Sequence, residues 1–235
     1  MKKIFFISFV FFFVAFFTIW GYLPSNANDK ITDKIELDFF EVHFPLKKIT
    51  GPYFINKMTY TRDDNFLHHK FYQKFGVNDC YVHRDIYPNI KRLENLLREN
   101  NLRAVMYDCF RPHEAQVYMW NLNPNPLYLS NPNKFGSLHS RGIAVDISLA
   151  NMDGVEYEFP TPVDSFDTKS WHNYKCSDEE KVLCQNRDAL KSLMEQAGFY
   201  PIKREWWHYQ KSGNVSAYPL IKICDVKGAT CKTQK

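Results

Sequence analysis

Two short stretches of this chain hold residue types that can do chemistry together. In Ser137–Leu149, SLHSRGIAVDISL, His139 and Asp146 stand seven positions apart with Gly142 between them. An imidazole and a carboxylate so placed can converge on one point. Zinc takes nitrogen and oxygen ligands of this kind, and a catalytic zinc uses three of them with one position left for water. The third ligand must come from elsewhere. Glu205-Trp-Trp-His208 offers it, with a Glu three residues ahead of the His. One of that pair can hold the metal while the other takes a proton from water. Taken singly, each residue has a plainer reading: a hydrogen-bonded structural His, an Asp on the solvated side of a sheet, two core tryptophans.

The elements around these residues must bring them together. Val145, Ile147 and Leu149 alternate with Ala144, Asp146 and Ser148, which predicts a half-buried strand with Asp146 on the face away from the apolar set. Gly142 allows a sharp turn or a close approach just before it. Phe199–Gln210 reads as another strand, with His208 near its end. Glu and His three apart share a side on a helix but not on a regular strand, so a bulge or a strand end must reconcile them. Ile86–Asn100 carries Ile86, Ile90, Leu93 and Leu97 at helical spacing. Leu102–Asp108 follows as a strand, and Pro112 suits the start of a helix over His113–Trp120. Asn121–Gly136, rich in Asn and Pro, is loop. Ser177-Asp-Glu-Glu180 is a capping box opening a helix to about Ala197, with Gly198 as its stop. Ile35, Leu37 and Phe39 hint at a strand, and Tyr60–Phe75 reads as a loop over a site. Asp153-Gly154 signals a turn with Val155–Phe159 pairing back, and Val215–Cys224 suits an edge strand. Helices mixed with antiparallel strands make the class α+β, an antiparallel sheet with packed helices.

Six segments resemble one family. SLHSRGIAVD has the S-x-H-x-x-G-x-A-x-D pattern and REWWHY the E-x-x-H pattern of the VanX-type D-alanyl-D-alanine dipeptidases, zinc peptidases of family M15 with a Hedgehog/D,D-peptidase-like fold. Tyr60–Phe66 resembles the family's Y-x-x-x-D-N-F segment. Tyr107–Pro112 resembles D-x-Y-R-P, with Phe110 in place of Tyr. Val163–Asp167 resembles the F-D-x-x-D loop, and Asn186–Phe199 the helix before E-W-W-H. The likeness runs from about Tyr60 to Tyr209.

The resemblance implies roles residue by residue. His139, Asp146 and His208 would bind one zinc ion per chain. Glu205 would be the general base and then return its proton to the leaving amine. Arg111 would stabilise the oxyanion; its plainer reading is a structural ion pair. Asp164, with the Tyr60 hydroxyl, would meet the ammonium of the substrate, and Ser137 its carboxylate. The implied substrate is the dipeptide D-Ala-D-Ala, cleaved to two D-Ala. The alternatives are a D,D-carboxypeptidase trimming peptidoglycan stem peptides, which would need an open amine side, and a non-catalytic zinc-containing binding module, against which Glu205 and Arg111 argue.

Met1–Ala27 has two lysines, a Phe-rich apolar run and small residues at Ser25 and Ala27, which read as a secretory signal peptide. An uncleaved anchor is the alternative, and only then would the protein hold to a membrane. Either reading makes the domain exported, periplasmic or secreted. Without Lys2 and Lys3 the formal net charge falls from +4 to +2, too mild for a nucleic-acid partner. Residues 28–235 are enough for one domain with its own core. Six cysteines in an exported chain suggest disulfides, and fifteen full pairings are open. Cys176–Cys184 and Cys224–Cys231 are the short-range choices, with Cys80–Cys109 then tying two segments near Arg111. None has the Cys-x-x-Cys spacing of a zinc site.

Overall fold

Residues 38–225 are described by the structure, a computed structural model. The leader read over Met1–Ala27, the Ile35 and Leu37 part of the first strand expectation, and Cys231 lie outside them. In chain order the described residues form helix α1 (Phe39–His43), strands β1 (Leu46–Lys48), β2 (Phe54–Asn56) and β3 (Tyr81–His83), helix α2 (Tyr87–Glu99), strand β4 (Arg103–Asp108), helix α3 (His113–Leu122), strand β5 (Ala144–Ala150), helix α4 (Lys181–Gln196), and strands β6 (Tyr200–Ile202) and β7 (Glu205–Gln210). Short 3₁₀ turns join them.

The main sheet has the order β2-β4-β5-β7-β6. All its pairs are antiparallel except β2 with β4, which is parallel, so the antiparallel expectation is corrected at that edge. β1 and β3 make a separate antiparallel pair. The class is α+β. β5 lies at the centre, paired with β4 on one side and β7 on the other. Val145, Ile147 and Leu149 join the main core, to which α2 contributes Ile90, Leu93 and Leu97 and α4 contributes Leu190, Leu193 and Met194. Burying each such side chain contributes about 1.5–3 kcal/mol. The opposite face of β5 is buried as well, under loops rather than helices, so the half-buried expectation is corrected. Asp146 lines a cleft in that layer.

Register aligns the site. Met106 pairs with Ile147, and regular alternation would then set Tyr107 opposite Asp146. A bulge between Met106 and Asp108 sets Asp108 there instead. Asp146 pairs in turn with His208. Asp108, Asp146 and His208 therefore form one row across three adjacent strands, and cross-strand partners share a face.

Several local expectations are corrected. Phe39 starts a helix rather than continuing a strand, because the Asp38 carboxylate accepts from Phe40 N at 2.9 Å and caps it. Tyr60–Phe75 is more than a cover: Tyr60, Phe71 and Tyr72 are buried, with Tyr60 stacked on Phe71 at 5.1 Å. Val155–Phe159 returns as a single bridge, Ala150 to Glu156. Phe199–Gln210 is two strands around a turn at Lys203 and Arg204. Val215–Cys224 makes 3₁₀ turns, not a strand. Helix α4 begins after the capping box, where Ser177 Oγ accepts from Glu180 N at 3.4 Å. Cys80–Cys109 and Cys176–Cys184 are bridged, with Cα separations of 5.2 and 6.1 Å. Among the described residues no helix is long and apolar enough to cross a membrane.

Candidate metal centre and active-site cleft

His139 opens a 3₁₀ turn that ends at Gly142, whose φ of +68° suits glycine. A Cβ there would lie 2.8 Å from the Leu46 side chain and 3.0 Å from the His83 amide. The close fit seats the turn on the β1–β3 pair, where His83 N donates to Gly142 O at 2.7 Å. His139 is thereby held beside the row of strand residues. Its Nε2 lies 3.1 Å from His208 Nδ1 and 3.4 Å from Asp146 Oδ1, and His208 Nδ1 lies 3.0 Å from the same oxygen. All three side chains are buried.

The donor chemistry fits a cation. His139 Nδ1 donates to the Cys109 carbonyl at 2.9 Å, which leaves Nε2 with a lone pair in the neutral ring. His208 Nε2 donates to Gln210 Oε1 at 3.2 Å, as the amide is assigned, which leaves Nδ1 likewise. Two lone pairs and a carboxylate oxygen then face one another and require a shared positive charge. Bonds of about 2.0–2.1 Å in a tetrahedral arrangement would hold the ligand atoms about 3.3–3.4 Å apart, close to the spacing found. Without a metal a proton serves instead. Burial alone would lower the His208 pKa, but the Asp146 carboxylate outweighs it and the net shift is upward. Asp146 is driven the other way: its burial is outweighed by His139 and His208, which keep it ionised.

Glu205 and His208 do reach one side. The pairing of β6 with β7 shifts between Pro201 and Ile202, so that Pro201 faces Tyr209 while Ile202 faces Glu205. The irregularity breaks the alternation and leaves Glu205 Oε2 3.9 Å from His208 Nδ1. Burial raises the Glu205 pKa, with the nearby cationic groups opposing it.

Arg111 follows the bulged end of β4. Its Nε donates to Asp108 Oδ2 at 2.9 Å, its Nη2 donates to the same oxygen, and its Nη1 donates to Gln116 Oε1 at 2.8 Å. Asp108 also accepts from the Tyr72 hydroxyl and from Cys109 N. Burial would depress the Arg111 pKa, but Asp108 reverses that and fixes its charge. Three of five guanidinium N–H groups are thus engaged, and two remain on a side chain that lines the cleft.

The cleft has a volume of about 290 Å³. Tyr60 and Asp164 line it as a pair, the phenol donating to Asp164 Oδ2 at 3.0 Å. Asp164 has a φ of +61°, a left-handed conformation that Asp tolerates better than most residues. Its burial, with Asp146 adding, pushes the carboxyl up to about 8. Ser137 also lines the cleft, and its Oγ accepts from His139 N at 3.2 Å. Every site residue expected from the sequence therefore borders one cavity. Asp108, Gln116, Gln210 and the Cys109 carbonyl were not foreseen. Gln210 had a signal: two residues beyond His208 on a strand, it shares its face. Asp108 lay inside the segment already singled out for Arg111.

The chain is 29% identical over 191 residues to the D-alanyl-D-alanine dipeptidase of Escherichia coli (strain K12), spanning 81% of this chain and 92% of that protein. It is 38% identical over 158 residues to the D-alanyl-D-alanine dipeptidase of Enterococcus faecium, spanning 56% of this chain and 76% of that one. Among solved structures, VanYB in complex with D-Alanine-D-Alanine is 18% identical, with a TM-score of 0.38 over 60% of this chain and 76% of that chain. Residues 43–224 match the family described as Peptidase M15, D-ala-D-ala dipeptidase, and the chain belongs to that family.

Proposed function

We propose that this protein is a zinc-dependent dipeptidase that hydrolyses D-Ala-D-Ala to two D-alanines outside the cytoplasm. The observation that carries the reading is the convergence of His139, Asp146 and His208 within 3.4 Å of one another, with Glu205 and Arg111 on the same cleft. The names of the relatives supply the substrate. Export is supported by the Met1–Ala27 sequence and by two cysteine pairs at bridging distance.

His139, Asp146 and His208 would hold the metal. When bound, zinc supplies a Lewis acid and lowers the pKa of water to about 7. Glu205 takes the proton of the attacking water and passes it to the departing amine; burial has already made its carboxylate a stronger base than one in solvent. Arg111 turns its two unengaged N–H groups to the carbonyl oxygen as negative charge grows there. Asp108 and Gln116 hold that guanidinium in place, so little reorganisation is needed at the moment of reaction. The Asp164 carboxylate pairs with the substrate ammonium, which also offsets the cost of ionising a buried acid. Ser137 offers a hydroxyl to the substrate carboxylate.

The test is D-alanine release from D-Ala-D-Ala and from its N-acetyl form, by zinc-loaded and chelator-treated protein. Zinc-dependent release from the free dipeptide, with the acetylated one much poorer, is expected. Equal cleavage of both would make the protein a D,D-carboxypeptidase, and no release from either would make it a binding module.

A further inference from the structure

His139 leans on a part of the fold that the proposed chemistry leaves aside. Its Nδ1 donates to the Cys109 carbonyl at 2.9 Å, and that bond leaves Nε2 to face His208 and Asp146. Cys109 stands just past Asp108, the last residue of β4 and the one after the bulge. The backbone there is held at each step. Cys109 N donates to Asp108 Oδ1 at 2.9 Å, Phe110 N to Tyr81 O at 2.8 Å, and Arg111 N to His139 O at 3.2 Å. The Cys109 sulfur is bridged to Cys80, and both side chains are buried.

Cys80 leads directly into β3, and β3 supports His139 from two sides. Tyr81 O accepts from the segment that carries the ring's acceptor. His83 N donates at 2.7 Å to the carbonyl of Gly142, where the turn that carries the His139 backbone ends. β3 belongs to the separate β1–β3 pair, so no strand ladder joins it to β4. The bridge ties the two together covalently at the residue whose carbonyl meets the ring. An acceptor on the far nitrogen of a metal-bound imidazole fixes its tautomer and orientation, and losing such a partner typically costs about 10- to 100-fold in metal affinity.

We propose that the Cys80–Cys109 disulfide is a positioning element of the metal centre, which holds the Cys109 carbonyl against His139 and so gives the site an affinity for zinc that the dithiol chain lacks. The proposal rests on the metal part of the functional reading. Forming the bridge passes two electrons and two protons from the Cys80 and Cys109 thiols to a disulfide oxidant, which leaves as two thiols. Oxidation and metal loading are then linked, and the linkage is reciprocal: zinc makes the bridge harder to reduce by the factor by which the bridge tightens zinc.

Zinc affinity is measured by chelator competition well below every Tm. Cys80→Ala with Cys109→Ala should bind zinc about 10- to 100-fold more weakly than native protein. Cys80→Ala with Cys109→Val, which refills part of the space and keeps the fold, should show the same loss. Cys176→Ala with Cys184→Ala also opens a bridge and should lower Tm, but leave zinc affinity native. Affinity within threefold of native in a folded variant lacking the Cys80–Cys109 bridge overturns the positioning role. Native protein supplies the second measurement. After equilibration in glutathione buffers, with and without saturating zinc, thiols are trapped by alkylation and located by mass spectrometry. Zinc should make Cys80–Cys109 about tenfold or more harder to reduce and leave Cys176–Cys184 unmoved; an equal response of the two bridges overturns the link. Native protein that binds no zinc overturns the metal reading and the positioning role with it. Tight zinc binding without cleavage of D-Ala-D-Ala overturns only the dipeptidase reading, and the bridge-dependent affinity still supports the positioning role.

Discussion

Replacing Arg111 by Met separates its two jobs. The side chain is buried and ion-paired through two nitrogens to Asp108, whose remaining donors are the Tyr72 hydroxyl and Cys109 N. Breaking a buried pair by removing one partner costs about 3–5 kcal/mol. The donors left to Asp108 put the expected loss at the lower end, about 3 kcal/mol, or roughly 6–12 °C in Tm for a domain of this size. If Arg111 also meets the oxyanion, kcat on D-Ala-D-Ala should drop by about 10²–10³. Stability and catalysis part company in the double variant Arg111→Met with Asp108→Asn. Neutralising the stranded carboxylate should recover much of the Tm, but none of the kcat. The assay is D-alanine release by zinc-saturated protein at a temperature well below every Tm, alongside thermal melts of the native protein, both single variants and the double variant. Arg111→Met turning over within fivefold of native would refute the oxyanion role and leave Arg111 as a structural cation.

Three further outcomes are expected. Glu205→Gln should keep zinc and lose about 10²–10⁴ in kcat; zinc loss, measured by metal analysis, would make Glu205 a ligand. Zinc affinity, measured by chelator competition, should rise with pH through the elevated pKa of His208, because the metal displaces the proton held there between Asp146 and His139, and His208→Ala should abolish tight binding. His172 has a pKa lowered to about 4 by burial and by Arg187 and Lys191, and neither ring nitrogen has a hydrogen-bond partner. The unfolded chain takes up its proton near pH 6.5 and the folded chain only near 4, so the contribution is intact above 6.5 and is lost as pH falls to 4. After allowing for solvent screening the loss is about 1–2 kcal/mol, and urea midpoints of native protein against His172→Phe across pH 7 to 4 should show it.

The site was more legible than the loops. Ser137–Leu149 announced both a strand and its chemistry because alternation and ligand types coincide there. Helix α2 was legible because its buried residues recur at helical spacing. The bulge at Tyr107 was not legible, since nothing in Arg103–Asp108 marks where alternation breaks; only pairing with β5 does. The burial of both faces of β5 was missed because Asp146 and Ser148 look like solvent-facing residues until a cleft is folded over them. Val155–Phe159 alternates well enough for a strand, yet Tyr107 and Lys57 draw Glu156 into side-chain bonds and pairing stops at one bridge. The Asp108–Arg111–Gln116 chain was half legible: the residues lie close in sequence, but their shared burial is a tertiary fact.

The row of Asp108, Asp146 and His208 would make a bound metal a judge of strand register. His139 and His208 are 69 residues apart in sequence, and Asp146 and His208 are 62, so no local segment assembles the ligand set. A slip of β5 by one residue would send Asp146 to the helix side and place Val145 against His208. Such a chain would bury the Asp146 carboxylate among apolar side chains, away from both histidines, and would bind no metal. Metal at a thousandfold its Kd favours the binding-competent fold by about 4 kcal/mol. A bound metal would therefore act on the finished sheet as a proofreader, adding to the register that burial of Val145, Ile147 and Leu149 already favours.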